Sequence, residues 1–179
     1  MRIAPVGVRF SSDPERLVEE ARRSAQVTHA HPLGVDGAVA QAAAVGAAMR
    51  ADEIVAAARA AVGTDGMRRQ LDLVAEFLTA PPANPTTVAE ALGNTAAAAL
   101  SVPAGIYAAC HVDDFREAVR FAVRCGGDTD TIGAMTGAIA GARHGYNEFP
   151  SNWVASLEDG KYGRSHVERL ADRLATVSS

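Results

Sequence analysis

The chain has 179 residues, a length that predicts one domain over residues 1–179 with a core of its own. Apolar residues make up 48% of it but aromatic residues only 5%, which favours closely packed helices over a β-sandwich. The net charge of -4 disfavours direct nucleic-acid binding, and no apolar stretch is long enough to predict a membrane span.

The two cysteines and the start of the chain indicate a compartment. Cys110 and Cys125 do not form a CxxC pair, and the first residues lack the apolar run of a secretory signal. Unpaired cysteines without a signal are typical of a reducing environment. We therefore expect a cytoplasmic protein.

The first predicted helix lies in SSDPERLVEEARRSAQ. Ser12 stands three residues before Glu15, the spacing of a capping box, and Pro14 is tolerated in a first turn. One face of this helix then carries Leu17, Ala21, Ser24 or Ala25, and Thr28.

Three further helices follow in the first half of the chain. Residues 35 to 50 form an alanine-rich helix, and a second runs from Asp52 to Val62 and is closed by Gly63. The third covers residues 66 to 79 and ends before Pro81 and Pro82. Its apolar face is formed by Met67, Leu71, Val74 and Leu78.

The second half also reads as helical. Helices are predicted over residues 87 to 109, 114 to 124, 132 to 143 and 164 to 176. Thr87 with Glu90, and Asp114 with Glu117, have the spacing of capping boxes. Because no stretch alternates with a period of two for long enough to be a strand, the fold class is all-α.

The stretch CGGDTDTIGA, residues 125 to 134, concentrates oxygen ligands in one turn. Gly126 and Gly127 permit a tight loop before a helix. Asp128, Asp130 and Thr131 then supply carboxylate and hydroxyl oxygens, which Mg²⁺, Mn²⁺ and Ca²⁺ prefer, whereas zinc favours nitrogen and sulfur donors. The alternative is that Asp128 or Asp130 simply caps the helix that follows.

Three motifs in order resemble the ADP-ribosylglycohydrolase family. FREAVRFAVRCGGDTDTIGAMTGAIAGARHG resembles the family's carboxy-terminal metal motif. ARRSAQVTHAHPLGVDGAVAQAAAV resembles its Thr-His and Gly-x-x-Gly segment, and NTAAAALSVPAGIYAA resembles the segment ending in Pro-x-x-Ile-Tyr. The resemblance implies an orthogonal helical bundle that binds two magnesium ions and hydrolyses the bond between ADP-ribose and a protein side chain or a related leaving group.

The resemblance also implies roles for individual residues. Asp128, Asp130 and Thr131 match the family's carboxy-terminal metal ligands. The residues matching the ADP-ribose cleft are His29, Gly34, Ile106 and Tyr107.

The alternatives to these roles are structural. Without the resemblance, the favoured interpretation of His29 is a core or helix-end histidine satisfied by a backbone carbonyl, and a Pro-x-x-Ile-Tyr stretch is more often plain packing. His31, His111 and His144 match no motif and are assigned to surfaces or helix ends.

One departure from the family pattern concerns the first half of its site. The family's acidic residue near the attacking water and its Thr-Asp-Asp segment have no match here, so the catalytic residue stays unknown. Met1 and Arg2 resemble the end of the family's glycine-rich diphosphate loop. We therefore expect an amino-terminally truncated domain with an incomplete metal site, weak or no turnover, and self-association through an uncovered face.

Three functions remain open at this point. The chain could be a hydrolase acting on ADP-ribosylated protein, a module that binds ADP-ribose without turnover, or a structural helical protein.

Overall fold

A computed structural model describes residues 1–177, and within that span the chain is helical and has no strand. The α-helices are α1 (Ala4–Arg9), α2 (Pro14–Gln26), α3 (Pro32–Arg50), α4 (Ile54–Ala61), α5 (Asp65–Thr79), α6 (Pro85–Leu92), α7 (Ala98–His111), α8 (Phe115–Arg124), α9 (Thr129–His144), α10 (Ser151–Ser156) and α11 (Arg164–Thr176). A short 3-10 helix, Tyr146–Glu148, lies between α9 and α10. The all-α prediction is confirmed.

The centre of the molecule is helix α3, which contacts α1, α2, α4, α5, α7 and α9. From Val39 to Ala48 every residue of α3 is buried, so the helix is covered on all sides. A helix surrounded in this way must be apolar around its circumference, as the alanine-rich sequence is. Gly37 lets α3 approach the start of α7, because a Cβ there would lie 2.7 Å from that of Ala98.

Two polar side chains, Asp36 and Gln41, interrupt this apolar helix, and both are buried. Asp36 is 1% exposed; it accepts hydrogen bonds from the N–H groups of Gly63 (3.0 Å) and Thr64 (2.6 Å) and pairs with Arg22 at 3.3 Å. Burial raises the pKa of Asp36, but the hydrogen bonds from Thr64 and Gly63 and the charge of Arg22 outweigh it, so the pKa is lowered. Asp36 therefore ties α2 and the α4–α5 loop to α3.

The helix ends differ from the predictions where a neighbouring residue caps better. Asp13, not Ser12, caps α2 by accepting a hydrogen bond from the N–H of Arg16 at 3.1 Å. Asn84, not Thr87, caps α6 by accepting one from the N–H of Thr87. In both helices proline is the first residue, which fits because its missing N–H needs no partner there.

Other predicted boundaries hold or move by a few residues. Asp114 caps α8 through the N–H of Glu117 at 2.8 Å, as predicted. Helix α3 begins at Pro32 rather than residue 35, because the Nδ1 atom of His31 caps it by accepting from Leu33. Helix α9 begins at Thr129 rather than residue 132.

The predicted helix over residues 87 to 109 is wrong in one respect, since residues 93 to 97 separate α6 from α7. Gly93 ends α6 with a φ of +90°, a conformation that favours glycine. Asn94 then turns towards the loop after α8, where its side-chain amide donates to the carbonyl of Cys125 at 2.9 Å. The break is therefore fixed by a contact 31 residues away.

The last part of the described chain packs loosely. Phe115, Phe149 and Trp153 form a C-terminal aromatic cluster, with ring centroids 4.3 Å apart for Phe115 and Phe149 and 6.5 Å for Phe115 and Trp153. Helix α11 has no buried residue and leaves Val167 and Leu170 about half exposed. No helix within residues 1–177 has the length and apolar character needed to cross a bilayer.

Candidate functional site

The loop between α8 and α9 positions the predicted metal ligands. Gly126 and Gly127 have φ values of +71° and +67°, which only glycine adopts readily. A Cβ at Gly127 would overlap the backbone oxygen of Asn94. That same oxygen accepts a hydrogen bond from the N–H of Asp128 at 2.8 Å. Asn94, which the sequence analysis did not single out, therefore holds the loop at its turn.

The two aspartates of the loop lie side by side at the start of α9. Asp128 is the N-cap residue, yet its side chain makes no capping hydrogen bond. The pKa of Asp130 is lowered, first by a hydrogen bond with the side chain of Asp128 and then by backbone N–H groups of Thr131 and Asp130. Two carboxyl groups held together favour a proton or a cation between them, and their oxygens are the ligands that hard divalent cations prefer. Hydrogen bonds from backbone N–H groups to Asp130 are also typical of a residue that caps a helix, so this geometry is compatible with both metal binding and capping.

A cavity of about 450 Å³ opens beside this loop. Its lining comes from the start of the chain, the α2–α3 connection, α3, α7 and the first turns of α9. The polar residues among its walls are Arg2, Ser24, Thr28, His29, Gln41, Ser101 and Thr131. Thr131 and His29, far apart in the sequence, therefore face one space.

Of the residues predicted to bind substrate, two line this cavity and two do not. His29 and Gly34 lie in its wall, where a Cβ at Gly34 would be 3.1 Å from the His29 ring. Ile106 and Tyr107 are fully buried and absent from the lining. Burial in α7, where the Tyr107 ring stacks on His111 at 4.9 Å, places this pair in the core, as the packing alternative had it.

The remaining histidines singled out by the sequence lie at helix ends, as expected. His31 precedes α3, His111 ends α7 and His144 ends α9. His144 lies 3.7 Å from Asp113, which directly precedes the α8 cap Asp114. None of these residues is part of the cavity wall.

Gln41 is a site residue that the sequence analysis missed. It is 1% exposed and donates from its side-chain amide to the carbonyl of Met135 in α9 at 3.0 Å, while its Oε1 atom has no hydrogen-bond partner in the described part of the chain. The available signal was a lone amide in the alanine-rich middle of α3. Gln41 joins α3 to α9 behind the cavity.

No three His, Cys, Asp or Glu side chains within the described residues meet closely enough to hold an ion by themselves. The predicted donors are two carboxylates and a hydroxyl from one loop, so each ion bound there would complete its shell with water or with ligand oxygens.

Comparison with known proteins points to one family. The ADP-ribosylglycohydrolase family model matches residues 1–179. The chain is 31% identical to the ADP-ribosylhydrolase ARH3 of Homo sapiens over 99% of its own length and 56% of that protein. It is also 31% identical to the chicken (Gallus gallus) ARH3, over 88% of this chain and 52% of that protein.

A third relative matches with similar identity and coverage. An uncharacterized protein of Archaeoglobus fulgidus is 31% identical over 97% of this chain and 56% of its own length. The chain thus spans about half the length of the curated relatives that it matches.

Proposed function

The chain belongs to the ADP-ribosylglycohydrolase family, and on that premise we propose that it binds ADP-ribose and takes part in hydrolysing the bond between ADP-ribose and a modified protein side chain or a related adduct. The observation that carries the proposal is the cavity lined by both His29 and Thr131, the residue that follows Asp130 at the start of α9. A cavity of this size accommodates a nucleotide-sized ligand.

We propose that the carboxylates of Asp128 and Asp130 and the hydroxyl of Thr131 hold Mg²⁺. The ion, when bound, supplies positive charge that orients ribose hydroxyls and polarises a water molecule. The chain's own contribution is to place these three donors at the N-cap and in the first turn of α9. His29 contacts the ligand from the opposite wall.

The 179-residue chain alone should bind Mg²⁺ weakly and turn over slowly. Three donors from one loop occupy at most three of the six positions around an octahedral ion, which predicts a dissociation constant in about the millimolar range. Most of an enzyme's rate comes from positioned groups on both sides of the reacting bond. Binding without turnover is therefore the second candidate function, and the single-loop donor set favours it.

The binding test measures the melting temperature with ADP-ribose and MgCl₂. A ligand that binds only the folded state raises the melting temperature by mass action. We expect a rise that needs both additives and is lost in Asp128→Asn, while Asp65→Asn, an exposed aspartate on α5, keeps it. No rise with the unchanged chain would refute binding.

Turnover is tested on a peptide carrying ADP-ribosylated serine or arginine, with excess Mg²⁺. We expect little release of free ADP-ribose above a protein-free control. Fast release that Asp130→Ala abolishes would contradict the slow-turnover proposal and support the hydrolase function for this chain alone.

A further inference from the structure

A chain of hydrogen bonds runs from Arg2 through Thr28 to His29 at the wall of the cavity. The guanidinium of Arg2 donates to Thr28 Oγ1 at 2.9 Å and to the carbonyl of Ser24 at 3.3 Å. Thr28 Oγ1 lies 2.8 Å from His29 Nδ1. Arg2 precedes α1, whereas Thr28 and His29 follow α2, so the contact joins two separate parts of the chain.

The position of the Thr28 hydroxyl hydrogen follows from what its neighbours already bind. Its two candidate acceptors are His29 Nδ1 at 2.8 Å and the carbonyl of Ala25 at 3.4 Å. That carbonyl already accepts from the backbone N–H groups of Thr28 (3.0 Å) and His29 (2.9 Å), which use both of its lone pairs. The hydroxyl therefore donates to Nδ1.

The guanidinium of Arg2 makes the Thr28 hydroxyl a stronger hydrogen-bond donor towards His29. A guanidinium only donates, so it uses a lone pair of the hydroxyl oxygen and draws electron density from it. Hydrogen bonds in a chain polarise one another, and a hydroxyl that accepts from a cation is a better donor. Arg2 thus favours the arrangement in which Thr28 donates to His29.

A neutral imidazole whose Nδ1 accepts a hydrogen bond carries its hydrogen on Nε2. The Cδ2 edge of the ring, next to Nε2, lies close to Gly34, where a Cβ would be 3.1 Å from Cδ2. Within residues 1–177 no group hydrogen-bonds to Nε2, although His29 lines the cavity. The Nε2–H group is thus a donor without a partner among residues 1–177.

We propose that Arg2 and Thr28 are positioning residues that hold His29 as its Nε2–H tautomer, so that His29 donates a hydrogen bond to an oxygen of a nucleotide bound in the cavity. The ligand in this statement rests on the proposed function above. The tautomer does not, because it is set by contacts within the free protein.

The first arm of the test observes the tautomer directly. Protein labelled with ¹⁵N-histidine is studied without ligand by long-range ¹H–¹⁵N correlation at about pH 8, above the ordinary histidine pKa of ~6.5. The His29 signals are those lost in His29→Gln. We expect the Nε2–H pattern, with an Nδ1 shift that marks an accepted hydrogen bond.

Variants of Thr28 test what sets the tautomer. Thr28→Val, which keeps the shape but lacks the hydroxyl, should move the Nδ1 shift and admit the Nδ1–H form, and Thr28→Ser should restore the original pattern. Arg2→Met should move the shift in the same direction by less. The matched control is Thr79→Val, at the end of α5, where the threonine hydroxyl donates to a backbone carbonyl and has no contact with His29. It should leave the His29 signals unchanged.

The second arm is calorimetric titration with ADP-ribose in MgCl₂. We expect Thr28→Val to weaken binding about fivefold to tenfold, as loss of one net hydrogen bond does, and Thr28→Ser to restore it. An Nδ1–H pattern in the unchanged chain, or a Nδ1 shift that Thr28→Val does not move, would overturn the positioning role even if ADP-ribose binds. Failure of the unchanged chain to bind would instead overturn the proposed function and the ligand part of this inference, while the tautomer arm still decides the roles of Arg2 and Thr28.

Discussion

At the scale of single residues, the loop before α9 depends on the absence of a side chain at one position. Gly126 and Gly127 share a positive φ, but only at Gly127 would a Cβ overlap a backbone atom, the oxygen of Asn94. At Gly126 the nearest atom is a side-chain nitrogen of Asn94 at 3.7 Å, an ordinary contact. A side chain at Gly126 would therefore cause backbone strain alone, whereas one at Gly127 would cause backbone strain and steric overlap together.

We predict that Gly127→Ala lowers the free energy of unfolding by about 3 kcal/mol or more, whereas Gly126→Ala lowers it by about 1 kcal/mol, the cost of a left-handed backbone at alanine. The overlap at Gly127 also breaks the hydrogen bond between Asn94 and Asp128. Chemical denaturation of both variants measures the difference. Equal losses in the two variants would mean that the loop relieves the overlap at Gly127 at no further cost in stability.

Asp36 is a second residue with a large expected effect. Replacing it with Asn removes the charge that pairs with Arg22. If the amide oxygen takes the place of Oδ2, which accepts from both Gly63 and Thr64, the amide NH2 group is set against the Arg22 guanidinium. We expect Asp36→Asn to lower the free energy of unfolding at pH 7 by about 2 to 4 kcal/mol. The exposed Asp65→Asn should change it by no more than about 0.5 kcal/mol.

The Asp36 effect should also depend on pH. Because the pKa of Asp36 is lowered in the folded protein, its contribution is fully present above the unfolded-state pKa of ~3.9 and is lost as the pH falls through the folded-state value. The stability difference between the unchanged chain and Asp36→Asn should shrink in denaturation curves recorded from pH 6 down to pH 3. A constant difference would contradict the role of the charge.

At the scale of helices, local sequence predicted the elements whose ends depend on their own residues. Residues 164 to 176 were predicted and found as α11, and Asp114 caps α8 as its spacing indicated. The break between α6 and α7 was missed because GNTAAAAL reads as a helix, and only the contact of Asn94 with Cys125 reveals the turn.

The candidate site also contains residues that the sequence indicated and residues that only the fold brings together. The oxygen donors of residues 128 to 131 follow one another in the sequence, so their pattern was visible. Gln41, Arg2 and Thr28 became site residues only when folding brought the start of the chain, the α2–α3 connection and α3 to the same cavity as α9. Whether Asp128, Asp130 and Thr131 bind a metal stays a prediction.

Helix α11 should open independently of the core. It has 13 residues but none is buried, and it is held mainly by polar contacts such as that of Tyr146 with Glu168. A helix of this length without tertiary burial is marginal in water. We predict that its amides exchange with deuterium at least about a hundredfold faster than those of α5, which has 15 residues and buries Met67, Leu71 and Val74. Equal protection would reveal a partner surface for α11.

At the scale of the whole molecule, the two thiols report on the integrity of the core. Burial raises the pKa values of Cys110 and Cys125 to about 11 each. Cys110 belongs to α7 and Cys125 follows α8, helices that pack on each other. Opening of the contact between α7 and α8 exposes both thiols.

The prediction of one domain over residues 1–179 would be supported by a single melting transition.

We predict that a disulfide reagent labels the folded chain at pH 8 at least about a hundredfold more slowly than the unfolded chain. Only about one thiol in a thousand is ionised three pH units below its pKa, and the thiolate is the reacting form. The rate should rise about tenfold per pH unit. Fast labelling of one thiol in the folded protein would show that its helix opens locally.

The C-terminal aromatic cluster decides what optical spectroscopy can detect. Trp153 is the only tryptophan of the chain, and it lies in α10 rather than in the helices around α3. Its emission therefore follows the environment of Phe115 and of the Arg116 guanidinium, 5.9 Å from the ring. Far-ultraviolet circular dichroism, in contrast, is dominated by the longer helices. If α10 detaches before the core melts, the two signals will have different midpoints, and fluorescence alone would underestimate how firmly α3 is held.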